Sequence, residues 1–192
     1  MPLFHSALPR TIFFVVVVVW VFFEVRQSVK TRPDARLVPG GSRRPIAYAY
    51  VFGVLAAVAI EHNLRGLRIH PTALSTWGGL SVMSAGVALR VWCFYTLGHY
   101  FTFTVQTSLD QPVIDTGPYR MLRHPSYAAL LLIFIGWGFV YDNWGSLVVL
   151  TAAVAAGLVV RIRVEERALS KDLGGKYQEF AATRKRLIPF VW

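Results

Sequence analysis

Three groups of polar residues interrupt an otherwise apolar chain, and each has side chains able to do chemistry. The densest is Gln106 to Tyr127, QTSLDQPVIDTGPYRMLRHPSY, which combines Pro112, Gly117, Pro118 and Pro125 with Tyr119, Tyr127, His124 and two arginines. Proline and glycine break helices, so much of this stretch reads as loop or half-helix. Non-helical backbone near a bilayer must be buried in protein or line a cavity. His124-Pro125 before an apolar run reads as a helix start, with the proline in the first turn and Ser126 beside it. The free N–H groups and partial positive charge of such a terminus suit a carboxylate or hydroxyl ligand. A capped loop seated on a membrane surface accounts for the same residues.

The second group is Arg161-Ile162-Arg163-Val164-Glu165-Glu166-Arg167. Arg161 and Glu165 stand four apart and share a helix face, as do Ile162 and Glu166. On spacing alone this is a salt-bridged stretch of interfacial helix. The third group is a single charge, Arg90 in Ala88-Leu89-Arg90-Val91-Trp92. An arginine inside an apolar run marks a functional site or snorkels to the interface. Both readings stay open.

These groups must be held by apolar elements. The chain has 192 residues, 55% of them hydrophobic and only 16% charged, with one cysteine, Cys93, and a net charge of +10. Disorder, collagen and a disulfide scaffold are excluded by that composition. A basic chain this apolar belongs in a membrane rather than on nucleic acid. Zinc-finger spacing, a glycine-rich phosphate loop and internal repeats are lacking, so neither nucleic acid nor metal is expected as a partner.

A bilayer span needs about 20 mainly apolar residues. Five segments are candidates: Leu8 to Val25, Pro45 to Ile60, Thr72 to Leu97, Ser126 to Tyr141 and Trp144 to Val160. The first has a long core, and no small-residue cleavage site precedes Glu24 and Arg26, so it reads as a retained span rather than a signal peptide. The third carries Gly78, Gly79, Ser81, Ser84, Ala85 and Gly86, small residues that let helices approach closely in lipid. Only Asp142 and Asn143 separate the last two, which must form a tight hairpin. Beyond the fifth span, Leu169, Gly174, Tyr177, Phe180, Leu187, Ile188 and Pro189 suggest a helix ended near Gly174, a second short helix through Phe180 and a Leu-Ile-Pro anchor.

The basic residues test this count. The stretch Arg26 to Arg44 holds six, the tail from Arg161 holds eight, and Arg120 and Arg123 lie between the third and fourth spans. Only Arg10, Arg65 and Arg68 fall on the other side. Sixteen against three puts the N-terminus outside, the C-terminus in the cytoplasm and an odd number of spans between them. The fold class expected is all-α and multi-pass, about five transmembrane helices with a C-terminal cytoplasmic binding region.

Taken together, GPYRMLRHPSY, the RxxxEE pattern at Arg161, Glu165 and Glu166, GGKYQEF and RLIPF resemble the isoprenylcysteine carboxyl methyltransferase family, integral membrane enzymes that use S-adenosylmethionine. Leu89 to Thr102, LRVWCFYTLGHYFT, resembles its bacterial members. The resemblance covers roughly residues 85 to 192. The chain is then one membrane domain, 1–192, with two spans lacking specific motifs in 1–71 and a methyltransferase core in 72–192. The cofactor pocket is expected from 106–127 and 161–180.

The resemblance implies roles for individual residues. Gln106, Gln111, Pro112, Val113 and Ile114 fall on the cofactor-binding strip, where Gln111 and Pro112 depart from the family's pattern and would contact through backbone. Tyr119 and the run His124, Pro125, Ser126, Tyr127 match the cofactor pocket, and Glu165 the acid that holds the cofactor. Arg161 matches the catalytic arginine near the substrate carboxylate, and Arg90 is a second candidate for substrate binding. The implied reaction is methyl transfer to the carboxylate of an isoprenylcysteine-like, membrane-partitioned substrate. That substrate is lipophilic and of prenylated type, and membrane lipid is the other partner. The implied location is a bacterial cell membrane with the active site on the cytoplasmic side. A thiol, amine or phospholipid acceptor is the alternative within the same chemistry. A non-catalytic membrane sensor or assembly module is the alternative of another class.

Overall fold

Each apolar run becomes a helix in the computed structural model, which describes residues 7–29, 36–38, 44–103, 106–107, 112–188 and 192. The helices are α1 (Ala7–Ser28), α2 (Arg44–Asn63), α3 (Thr72–Leu97), α4 (Pro125–Val140), α5 (Trp144–Leu173) and the short α6 (Gly175–Ala182). At 1.5 Å per residue, the 22 residues of α1 reach about 33 Å, enough for a hydrocarbon core of about 30 Å. Helices α1, α2, α3 and α5 are long and apolar enough to cross a membrane, and α4 is a shorter apolar helix of 16 residues.

Pro125 opens α4 at a position where its missing N–H costs nothing. The hairpin from α4 to α5 turns at Asp142, whose φ is 56°, and Asn143 caps α5 by accepting from the Ser146 N–H at 3.1 Å. Helix α5 runs 13 residues beyond the apolar segment read from the sequence, carrying Arg161 through Glu166 on one continuous helix. It stops at Gly174, whose φ of 54° disfavours other residues, and α6 follows.

Small residues set the packing. Ideal Cβ atoms on Gly136 and Gly79 would fall 2.5 Å and 2.7 Å from the other helix's backbone, so α3 and α4 touch almost backbone to backbone. Gly86 meets Ala129 and Ile133, and Arg90 meets Ser126, so the two helices run antiparallel. Helices α2 and α5 pair the same way, Gly157 against Ala49 at one end and Gly145 against Ile60 at the other. Met83, Leu130, Ile133, Phe134, Leu150, Val154 and Leu158 fill the centre. The outward faces stay apolar, with Phe22 59% and Phe52 69% exposed, as suits helices whose solvent is lipid.

Two further connections shape the end of the bundle that carries the polar groups. A two-residue ribbon pairs β1 (Arg36–Leu37) antiparallel with β2 (Gln106–Thr107). A C-terminal strap lies along the loop before α4: Arg123 N–H donates to Lys185 O at 2.8 Å and His124 N–H to Arg186 O at 2.9 Å.

Candidate active site

Five helix ends converge on one cavity of about 370 Å³, within the range typical of small-molecule sites, about 300–1,000 Å³. They are the C-terminal ends of α1, α3 and α5 and the N-terminal ends of α2 and α4. Pro112, Val113, Ile114, Tyr119, His124, Ser126, Tyr127, Arg161, Glu165 and Arg90 all line it. Pro125 is instead buried in the start of α4. Gln106 is placed on β2 by its backbone. Gln111 lies outside the described residues.

One chain of hydrogen bonds crosses the cavity wall. Tyr127 Oη–H donates to Glu165 Oε2 at 2.5 Å, and Arg161 Nε donates to Tyr127 Oη at 3.2 Å. Arg161 Nη2 also donates to Phe103 O at 2.5 Å. The i to i+4 spacing of Arg161 and Glu165 does put them on one face, but Tyr127 of α4 stands between them. A cation and a carboxylate are thereby held apart, each turned toward the same hollow.

Glu166 plays a different part. It accepts from Arg123 Nη1 at 2.7 Å and Arg186 Nε at 2.8 Å, and lies 3.3 Å from His124 Nε2. Three segments distant in sequence, the loop before α4, the end of α5 and the strap, meet on this one carboxylate. His124 thus reaches the cavity as a ring braced from behind, stacked on Tyr127 with centroids 5.6 Å apart.

Arg90 does not snorkel. It is 3% exposed, and its Nε and Nη2 reach Glu24 Oε1 and Oε2 at 2.8 and 3.3 Å. Its Nη1 donates to Ser126 O at 3.0 Å and to Ser126 Oγ. The guanidinium also lies over Phe94 and Phe101, at 4.8 and 5.3 Å from the ring centres. An intramembrane charge is thus neutralised inside the bundle, and the first turn of α4 is tied to α1 and α3.

Helices α1 and α2 carry no specific sequence motif, yet Trp20, Glu24 and Tyr50 line the cavity. Trp20 Nε1 donates to Glu24 Oε1 at 2.9 Å. Glu24 was readable only as an acid at the end of a span. The available signal was its sign: two opposite charges in separate apolar runs at similar depth should pair.

Outside the spans, burial raises the Tyr119 phenol well above its ordinary pKa, with the neighbouring Cys93 adding to the effect. Burial also raises Tyr177, helped by the charges of Glu166 and Glu165. Both phenols stay protonated at physiological pH and present donors, not anions.

Residues 79–171 match the model of the isoprenylcysteine carboxyl methyltransferase family. Protein-S-isoprenylcysteine O-methyltransferase B of Arabidopsis thaliana is 29% identical over 147 residues, 76% of this chain and 74% of that protein. The cobalt-zinc-cadmium resistance protein CzcN of Cupriavidus metallidurans is 32% identical over 138 residues, 71% of this chain and 57% of that protein. A solved structure of the eukaryotic intramembrane Ras methyltransferase, isoprenylcysteine carboxyl methyltransferase, shares the fold with a TM-score of 0.59 at 27% identity. That match covers 76% of this chain and 52% of the other, so this chain spans about half the length of the solved relative.

The fold and these likenesses are those of integral membrane methyltransferases. More particularly, residues 79–171 are similar to the isoprenylcysteine carboxyl methyltransferase family, whose model they match.

Proposed function

We propose that the protein transfers a methyl group from S-adenosylmethionine to the carboxylate of an isoprenylcysteine-like substrate dissolved in the membrane. The observation that carries this reading is the convergence of Tyr119, His124, Tyr127, Arg161 and Glu165 on one cavity whose remaining walls are largely apolar. The donor set fits such a cofactor. Glu165 offers a carboxylate to its ammonium group, Tyr119 and Tyr127 offer aromatic faces, and Pro112 to Ile114 offer backbone, with His124 beside them.

Bound S-adenosylmethionine supplies a methyl group on a sulfonium, activated without help from the protein. An acceptor carboxylate is already ionised at neutral pH, since carboxyl groups titrate at about 4, so no general base is needed. The task left to this chain is placement. Arg161, held by Tyr127 Oη and Phe103 O, presents its guanidinium to the acceptor carboxylate. Leu130, Leu169, Leu173 and Phe180 keep water from the reacting groups. Arg90 serves from behind, holding Ser126 so that Tyr127 and His124 face the hollow.

The excess of basic residues at this end of the bundle supports the reading that it faces the cytoplasm, with the N-terminus outside, in a bacterial membrane. A water-soluble donor and a lipid-borne acceptor meet there.

The test is a panel of acceptors offered to the purified protein with radiolabelled donor. A farnesyl-cysteine analogue should yield a base-labile methyl ester. Labelling of small thiols or phosphatidylethanolamine instead would replace the acceptor, and calorimetry showing no donor binding would favour a sensor or assembly module.

A further inference from the structure

Tyr50 stands on α2, outside the residues that match the family, and lines the cavity. Its ring packs on Phe134 with centroids 4.7 Å apart, which fixes the side chain in place. Its hydroxyl is buried and has no hydrogen-bond partner among the described residues. Buried hydroxyls nearly always find one, because leaving them unmade forfeits the hydration given up on folding.

The neighbours explain why the proton is left over. The charged groups that act on this phenol are Arg90, Glu24 and Arg161. Arginine only donates, so neither guanidinium can take a proton from Tyr50. Glu24 is the one acceptor of the three, and its oxygens already receive Trp20 Nε1, Arg90 Nε and Arg90 Nη2. Glu24 and Glu165 also line the cavity, yet neither takes the Tyr50 proton, so the hydroxyl is left for an accepting group brought in from outside.

We propose that Tyr50 is a substrate-binding residue, its Oη–H donating to the acceptor carboxylate from the α2 side while Arg161 holds that carboxylate from α5. This rests on the function proposed above and adds a second donor to the acceptor end of the site. It also gives α2 a role in choosing the acceptor, since an amine presents N–H groups to the same donors and gains nothing from them.

The experiment compares two ligands in nanodiscs, S-farnesylthiopropionic acid and farnesyl propyl thioether, which differ in the carboxylate alone. The wild-type protein should bind the acid at least about tenfold more tightly, and Tyr50→Phe should lose about tenfold on the acid. The propyl thioether and S-adenosylmethionine should bind the variant within twofold of wild type, which also shows that the variant folds. Wild-type protein that holds both ligands alike overturns the carboxylate reading and this assignment together. Discrimination in the wild type that survives Tyr50→Phe overturns the assignment alone, as does an equal loss on both ligands.

Discussion

The two ends of the helix bundle both bury polar groups, and they do so in opposite ways. At the end away from the cavity, Asp142 is 1% exposed and accepts from Ser75 Oγ and from Thr72 Oγ1 at 3.1 Å. Beside it Asn143 donates to Leu64 O at 2.8 Å, and Ser146 Oγ donates to Ala57 O at 2.7 Å. Among the described residues this knot satisfies itself, joining α2, α3, α4 and α5. At the other end Tyr127, Glu165 and Arg161 also bond to one another, but around a cavity, and Tyr50 contributes a hydroxyl with no partner among the described residues. Polar groups that hold a fold close upon themselves. Polar groups that do chemistry face outward from their bonds, toward something that is to come.

The comparison breaks most sharply by substitution at the cavity end. Arg161→Ala should lower turnover about 10²- to 10³-fold, the scale of removing one preorganised charge-stabilising donor. It should leave S-adenosylmethionine affinity within about threefold, whereas Glu165→Ala should weaken that affinity at least about 100-fold, as for truncating a buried charge partner. Calorimetry with the donor and initial rates with the acceptor check both. Equal loss of donor affinity in the two variants would remove the division of labour between them.

At the closed end the expected effect is on stability alone. Asp142→Ala strands the Ser75 and Thr72 hydroxyls and should cost about 2–3 kcal/mol, read as a lowered midpoint of unfolding in detergent. Turnover per folded molecule should stay within twofold. Glu24→Ala sits between the two cases, because it leaves the Arg90 charge buried without its carboxylate. A loss of about 3–5 kcal/mol is expected, and the double variant Glu24→Leu with Arg90→Met should recover most of it.

The smallest effect is a slope with pH. Tyr119 and Tyr177 have folded-state pKa values raised above the unfolded one, chiefly by burial. Their neutral forms are favoured in the fold, so the stability they contribute is complete below the ordinary tyrosine pKa of about 10 and falls as pH rises past it. Unfolding temperature should be flat in this respect from pH 7 to about 9.5 and decline above it, less steeply in Tyr119→Phe.

Local pattern carried the elements and failed where distant segments meet. The third span, Thr72 to Leu97, has the same bounds in sequence and structure, and the Pro125 start and Gly174 stop follow from residue type. His124, Tyr127, Arg161 and Glu165 stood out because their motifs are short. Glu24 and Tyr50 did not, and Glu166 stood in the RxxxEE pattern without a role of its own; the reason is physical. Glu24 meets Arg90 across 66 residues, and Glu166 meets Arg123 across 43. Nothing in the neighbourhood of any of these residues encodes a partner that only helix packing supplies. Tyr50 sits in an apolar run, and its hydroxyl stands out only once it is seen to have no hydrogen-bond partner among the described residues.

The strap from Arg184 to Leu187 has a consequence for how this protein comes into being. Arg186 bonds to Glu166, and its carbonyl receives the His124 N–H, so the loop beneath the cavity is pinned by residues translated after every helix that builds it. A nascent chain stalled just after α5 would lack that pin. The loop beneath the cavity therefore gains its last fixed contacts only once synthesis has run past residue 187.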